Sequence, residues 1–172
     1  MTIQQNTKIP VITRKPLINV GLGQFIVSGD DAELVIYGLG SCIGLSLWSP
    51  NKRIGLLSHI VLPNSKGTSL NEHNPAKYAD HAIPLAIDSL LNIGVRRTEI
   101  VAKMVGGAHT LGGALGKNIG IQNAEVTLAA LQEQRIRVIA KSIGGTVGKT
   151  IRFSPYTGIV EVSSVNGTKE VL

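Results

Sequence analysis

The segment Tyr37–Pro63, YGLGSCIGLSLWSPNKRIGLLSHIVLP, holds the only cysteine of the chain, Cys42, and a histidine seventeen residues later, His59, with an SPNK turn between them. The aliphatic runs on either side of that turn read as the arms of a β-hairpin. A turn centred on Pro50 and Asn51 sets Cys42 opposite His59, Gly44 opposite Leu57, Ser46 opposite Gly55 and Trp48 opposite Arg53. Directly opposed Cβ atoms of an antiparallel pair lie about 4.5–5.5 Å apart, so this register brings thiol and imidazole together. Ile43, Leu45, Leu47, Leu56 and Ile54 fall on the other face, which belongs in the core. Gly44, Ser46 and Gly55 on the Cys42 face are small, and are expected to leave room for something to approach. Trp48 and Arg53 are expected to form a cation–π pair at the turn end.

A free thiol, with a pKa near ~8.5, is mostly protonated at neutral pH, and a neighbouring imidazolium favours the nucleophilic thiolate. The turn before the cysteine adds a second requirement. Gly38 and Gly40 let the backbone reach conformations closed to other residues, so that amides near Ser41 and Cys42 can face a developing oxyanion. Thiolate, base and amide donors together describe acyl transfer at a carbonyl carbon. Against this stands the plainer reading of Cys42 as a small buried hydrophobe and of His59 as a hydrogen-bonded core residue.

Outward from the hairpin, strand-like runs occur at Gln24–Ser28, Leu34–Tyr37, Ile100–Val105, Arg137–Ser142, Thr150–Ser154 and Gly158–Val162. The hairpin arms themselves span Cys42–Trp48 and Gly55–Leu62. A first helix opens at Asn74 and Pro75, carries Ala79, Ile83, Ile87, Leu90 and Leu91 on one face, and stops at Gly94. Pro84 is expected to kink it. A second helix runs from about Ile121 to Gln134, with Val126, Ala130 and Leu131 as its apolar stripe. Strands before, between and after helices give an α/β or α+β fold in which a layered sheet sandwich is flanked by two main helices.

Composition bounds the rest. The 172 residues are expected to form a single domain, with its core over about residues 18–162 and a short tail at each end. Hydrophobic residues make up 43% of the chain but aromatics only 3%, so Val, Ile, Leu and Ala must fill the core. A single cysteine excludes an internal disulfide and suits a reducing compartment. The N-terminal stretch lacks an apolar signal core, and no run of roughly 18 or more apolar residues occurs anywhere. The expectation is a cytoplasmic protein that does not insert into membranes. The formal charge is +6, from 17 Lys and Arg against 11 Asp and Glu, scattered rather than clustered. That favours acidic partners, and the scarcity of aromatics argues against nucleic acid.

Several apparent motifs dissolve on inspection. GGTVGKT at Gly144–Thr150 lacks the first glycine of a phosphate-binding loop, because position 143 is Ile143, and it reads as a turn joining two strands. GLGSCI misses the dinucleotide-binding pattern because its third glycine falls at Gly44. His73, His81 and His109 have neither the spacing nor the carboxylates of a metal site, and no cofactor is expected. The glycine-rich stretch Gly106–Gly120 is too long for a simple turn, which makes it a candidate site loop, with Gly106 and Gly107 at its start.

Taken together, GLGSC, the histidine in GLLSHIVLP, KYAD at Lys77–Asp80, VGGA at Val105–Ala108, NIG at Asn118–Gly120 and the following Asn123 resemble the CheD family of bacterial chemotaxis. The resemblance covers most of the chain, roughly Ile18–Val162. It implies a glutamine deamidase acting on the cytoplasmic helices of chemoreceptors, with the phosphatase CheC as a further partner. It also implies a fold similar to the cysteine-hydrolase domain of cytotoxic necrotizing factor. By matched position Cys42 is the nucleophile and His59 the base. The family threonine, six residues before the cysteine, is here Ile36, which has no hydroxyl to orient an imidazole. The arginine usual before the asparagine is here Gln122. With the threonine absent, a backbone carbonyl, Tyr37 or Ser41 would have to orient His59, or activity would be reduced. The rival readings are a CheD-like module that binds without turnover, and a nucleotide-binding regulator using the glycine-rich loops.

Overall fold

The computed structural model describes residues 15–67, 74–109 and 119–172. Among these residues ten strands and two α-helices follow one another as β1 (Leu17–Asn19), β2 (Phe25–Ser28), β3 (Glu33–Leu39), β4 (Ile43–Ser49), β5 (Ile54–Ile60), α1 (Ala79–Asn92), β6 (Val101–Gly106), α2 (Ile119–Glu133), β7 (Arg137–Ile143), β8 (Lys149–Phe153), β9 (Val160–Ser164) and β10 (Lys169–Val171). The strands form two five-stranded sheets, ordered β1-β3-β8-β9-β10 and β2-β5-β4-β6-β7. Each mixes parallel and antiparallel neighbours: β1 and β3, and likewise β6 and β7, are parallel. All eight strands expected from the sequence are present. The short edge strands β1 and β10, three residues each, were not foreseen.

Two cores define three layers. Leu34, Ile36, Leu39, Ile151, Phe153, Val160 and Val162 of the first sheet meet Leu57 and Val105 of the second. On its other face the second sheet buries Ile43, Leu45, Leu47, Leu56 and Ile60 against the helices. The arrangement is sheet, sheet, helices, an α+β sandwich as expected.

Helix α1 contributes Ala79, Ala82, Ile83, Ala86, Ile87 and Leu90, spaced three and four apart so that one face is continuously apolar. Burying Ile83, Ile87 and Leu90 alone is worth about 5–9 kcal/mol of transfer free energy. Asn74 caps a 3-10 turn over Pro75–Lys77, accepting from the Ala76 amide, and α1 starts just after it. The helix is continuous to Asn92 with Pro84 inside it. Helix α2 differs from expectation in its facing. Gly120, Asn123, Thr127 and Leu131 are its buried residues, while Val126 and Ala130 are only partly buried against the helix-side core.

The hairpin register is a correction. Gly44, not Cys42, lies opposite His59, and Leu45 faces Ser58, Ser46 faces Leu57, Trp48 faces Gly55. The cause is the turn, which spans four residues, Pro50–Arg53, between the paired Ser49 and Ile54, with Arg53 at φ +51°. The shift is two residues, so the alternation of faces is preserved. Trp48 and Arg53 are not partners: Arg53 sits over the Tyr156 ring at 4.9 Å and donates to its hydroxyl at 2.6 Å, while the Trp48 indole donates to the Pro155 carbonyl. The space beside Gly44 and Gly55 is also filled. A Cβ on Gly44 would lie 2.5 Å from Ile151 Cδ1, and one on Gly55 2.4 Å from Phe153. These glycines let the two sheets approach, and do not make room for a ligand. Gly144 and Gly145, both at positive φ, link β7 to β8 and lead into a strand, unlike a phosphate-binding loop.

Candidate active site

Cys42 occupies the bend immediately before β4, half-buried, packed against the core between the sheets. His59 lies on β5 opposite Gly44, two residues along from Cys42, and is 6% exposed. Extending the alternation of β4 back by one residue puts both side chains on the face that looks toward the other sheet, with Cys42 diagonal to His59. Such neighbours sit about 7–8 Å apart at Cα, within reach of longer side chains.

The imidazole is held by the main chain. Its Nδ1 lies 3.3 Å from the carbonyl oxygen of Val20, a buried residue of the segment joining β1 to β2. A carbonyl can only accept, so Nδ1 carries the hydrogen in the neutral ring and Nε2 keeps its lone pair. Val20 is fixed in turn by its amide, which donates to Val35 on β3. Ile36, at the position of the family threonine, is fully buried between the sheets, cross-strand from Ile151. Tyr37 is exposed on the opposite face of β3, so it does not hold the ring.

Burial acts on both groups in the same sense. It raises the Cys42 thiol pKa above the ordinary value, opposed only by the residue's own backbone amide. It lowers the His59 pKa, opposed by the bond to Val20. Burial thus favours the neutral form of each group, against the pull of a neighbouring imidazolium toward the thiolate.

The turn that presents Cys42 is gripped from behind, carbonyl by carbonyl. The Gly40 oxygen accepts from the Ala108 amide at 2.9 Å and the Cys42 oxygen from the Gly107 amide at 2.9 Å. Between them, the Ser41 oxygen accepts from Asn123 Nδ2 at 2.8 Å. Glycines make this approach feasible. Gly106 has φ +111°, and a Cβ there would stand 2.2 Å from the Cys42 oxygen. A Cβ on Gly120, in the first turn of α2, would stand 2.5 Å from the Ala108 oxygen. Gly38 at φ +66° sits where the β3–β8 register shifts, and starts the turn. Gly40, Ser41, Gly106 and Gly107 are thus gathered around Cys42. Residues 110–118 of the glycine-rich stretch, and His73, lie outside the described residues. Among those described no cluster of three or more His, Cys, Asp or Glu could hold a metal ion, and no helix is long and apolar enough to cross a membrane.

Sequence reasoning gave no role to Asn123 or Val20. Asn123 had a usable signal, because Gly120, Asn123, Thr127 and Leu131 are spaced along one helical face and the polar pair had to be buried with it. Val20 had none, since a carbonyl belongs to every residue.

The family model described as CheD chemotactic sensory transduction matches residues 61–164, a span that begins just past His59. Longer similarities run through the hairpin region as well. A protein of Symbiobacterium thermophilum is 43% identical over 150 residues, 85% of this chain and 91% of its own length. One from Desulforamulus reducens is 35% identical over 158 residues, 90% of this chain and 95% of its own. One from Clostridium botulinum is 37% identical over 158 residues, 90% and 97% respectively. Each bears the name "Probable chemoreceptor glutamine deamidase CheD". With the family model covering more than half of the chain and relatives aligned over nearly all of it, this chain belongs to the CheD family.

Proposed function

We propose that the chain hydrolyses the side-chain carboxamide of glutamine residues in chemoreceptors, with Cys42 as nucleophile and His59 as general base and acid. The observation that carries this reading is that Cys42, in the bend before β4, packs against the core between the sheets and that His59 on β5 lies on the same side by alternation, with Nδ1 engaged by Val20 and Nε2 left as the basic atom. The names of the relatives supply the substrate class.

Because burial favours the neutral pair, the thiol is deprotonated as it attacks: Nε2 takes the proton while sulfur adds to the carboxamide carbon. The tetrahedral oxyanion is met by backbone amides at Ser41 and Cys42. His59 then gives its proton to the departing ammonia, leaving a thioester. Water, deprotonated by the same Nε2, adds to the thioester, and expulsion of the thiol yields glutamate. The Val20 carbonyl takes the place of the missing threonine hydroxyl in holding the ring through the imidazolium stage. No metal or organic cofactor enters these steps.

The substrate surface is the cytoplasmic helices of receptors, where each conversion adds a negative charge and shifts helix–helix packing. CheC as a further partner, a cytoplasmic location and a single domain over residues 1–172 complete the reading by family likeness. The deciding measurement is mass spectrometry of a receptor fragment incubated with wild-type protein and with Cys42→Ala. The wild type should convert glutamine to glutamate and the variant, its fold intact, should not. Conversion at the wild-type rate by Cys42→Ala would refute the nucleophile, and no conversion by either protein would favour the module that binds without turnover.

A further inference from the structure

Asn123 lies on α2, away from the thiol, yet its side-chain amide reaches both strands of the candidate site. Nδ2 donates to the Ser41 carbonyl at 2.8 Å and to the Val61 carbonyl at 2.9 Å. Both acceptors are carbonyl oxygens, so the nitrogen must face them, and its two hydrogens are both used. Ser41 precedes Cys42, and Val61 follows His59 by two residues. One fully buried amide therefore ties together the ends of β4 and β5 that carry the two reacting groups.

The consequence for the chemistry comes from the planarity of the peptide. In a trans peptide the C=O of Ser41 and the N–H of Cys42 point in opposite directions. Asn123 pulls the Ser41 oxygen toward α2, on the helix side of the sheet. The Cys42 N–H must then point the opposite way, away from Asn123. That amide donates to no other residue's backbone among the described residues, and its influence is felt by its own sulfur. The flanking carbonyls of Gly40 and Cys42 are held by Ala108 and Gly107, which prevents the plane from flipping independently of its neighbours.

We infer that Asn123 is a positioning residue for the deamidation reaction, locking the Ser41–Cys42 peptide plane so that the Cys42 amide serves as an oxyanion donor. This rests on Cys42 being the nucleophile. It separates two properties of the site, because thiol reactivity at saturated carbon needs no oxyanion donor, whereas attack on a carboxamide does.

The test compares wild type, Asn123→Leu and Asn123→Ser in three assays. These are deamidation of a receptor fragment, alkylation of Cys42 by iodoacetamide, and inhibition by a peptide aldehyde replacing the target carboxamide, which forms a hemithioacetal with the same oxyanion. Loss of an oxyanion donor typically lowers kcat by about 100-fold or more. We expect a fall of that size in kcat with KM little changed, a matching loss of aldehyde affinity, and an alkylation rate close to wild type. Full kcat in a folded variant, or alkylation falling in parallel with kcat, would overturn the role. Should neither variant fold, the wild type still decides: its Cys42 amide proton should shift downfield in NMR on aldehyde binding, and an unmoved resonance overturns the role. Activity retained by Cys42→Ala would sink the nucleophile and this role with it. Activity lost in Cys42→Ala but kept in Asn123→Leu would sink the role of Asn123 alone.

Discussion

Replacing Ile36 by threonine restores the hydroxyl of the family pattern, and the structure indicates what that hydroxyl would meet. Ile36 is 0% exposed and packs between the sheets with Ile151 cross-strand and Leu39, Leu57 and Phe153 in the same cluster. Two apolar carbons disappear from this site, costing about 1.6 kcal/mol at about 0.8 kcal/mol each. A hydroxyl buried among aliphatic side chains without a partner adds about 1–3 kcal/mol. The sum, about 2.6–4.6 kcal/mol, corresponds to a fall of about 5–18 °C in melting temperature for a domain of this size. Because His59 Nδ1 is already engaged by Val20, the new hydroxyl has no orienting task, and kcat/KM should stay within about threefold of wild type. Thermal denaturation and kcat/KM on a receptor fragment, measured on the same preparation, check both numbers. A rise of tenfold or more in kcat/KM with an unchanged melting temperature would refute the reasoning. It would mean that the threonine hydroxyl takes over the imidazole and that the Val20 carbonyl holds it poorly.

Gly106→Ala should be more damaging than its single methyl suggests, because φ +111° is strained for an L-residue and the added carbon would stand 2.2 Å from the Cys42 oxygen. We expect at least 100-fold loss of deamidation, with a lowered melting temperature, and wild-type kcat/KM would show that the Cys42 turn tolerates displacement. The pH dependence follows from the burial of both groups. With the imidazole pKa lowered, the acid limb of kcat/KM should fall below the ordinary imidazole value of about 6.5. With the thiol pKa raised, iodoacetamide alkylation should keep accelerating beyond the ordinary thiol value of about 8.5. An alkylation rate that levels off below pH ~8 would indicate a preformed thiolate–imidazolium pair.

The sequence alone determined which residues alternate and which repeat at helical spacing, and those local periodicities placed eight strands and two helices. It also determined that Cys42 and His59 share a face. Side chains in a strand alternate with period two, so an error of two residues in turn length moved every partner and left every face unchanged. The family pattern in GLGSC, VGGA and NIG was likewise legible, because glycines that must admit a close backbone are written in the sequence even when what approaches them is not. What approaches them was decided only by the tertiary structure. Val20, Gly107, Ala108 and Asn123 come from three separate stretches of chain, and three of the four residues act through backbone groups that no side-chain pattern encodes. The direction of the two pKa shifts was also tertiary, since desolvation depends on the first sheet closing over Cys42 and His59. The role of the small residues changed for the same reason: Gly44 and Gly55 look open on an isolated hairpin and are filled once Ile151 and Phe153 are packed against them.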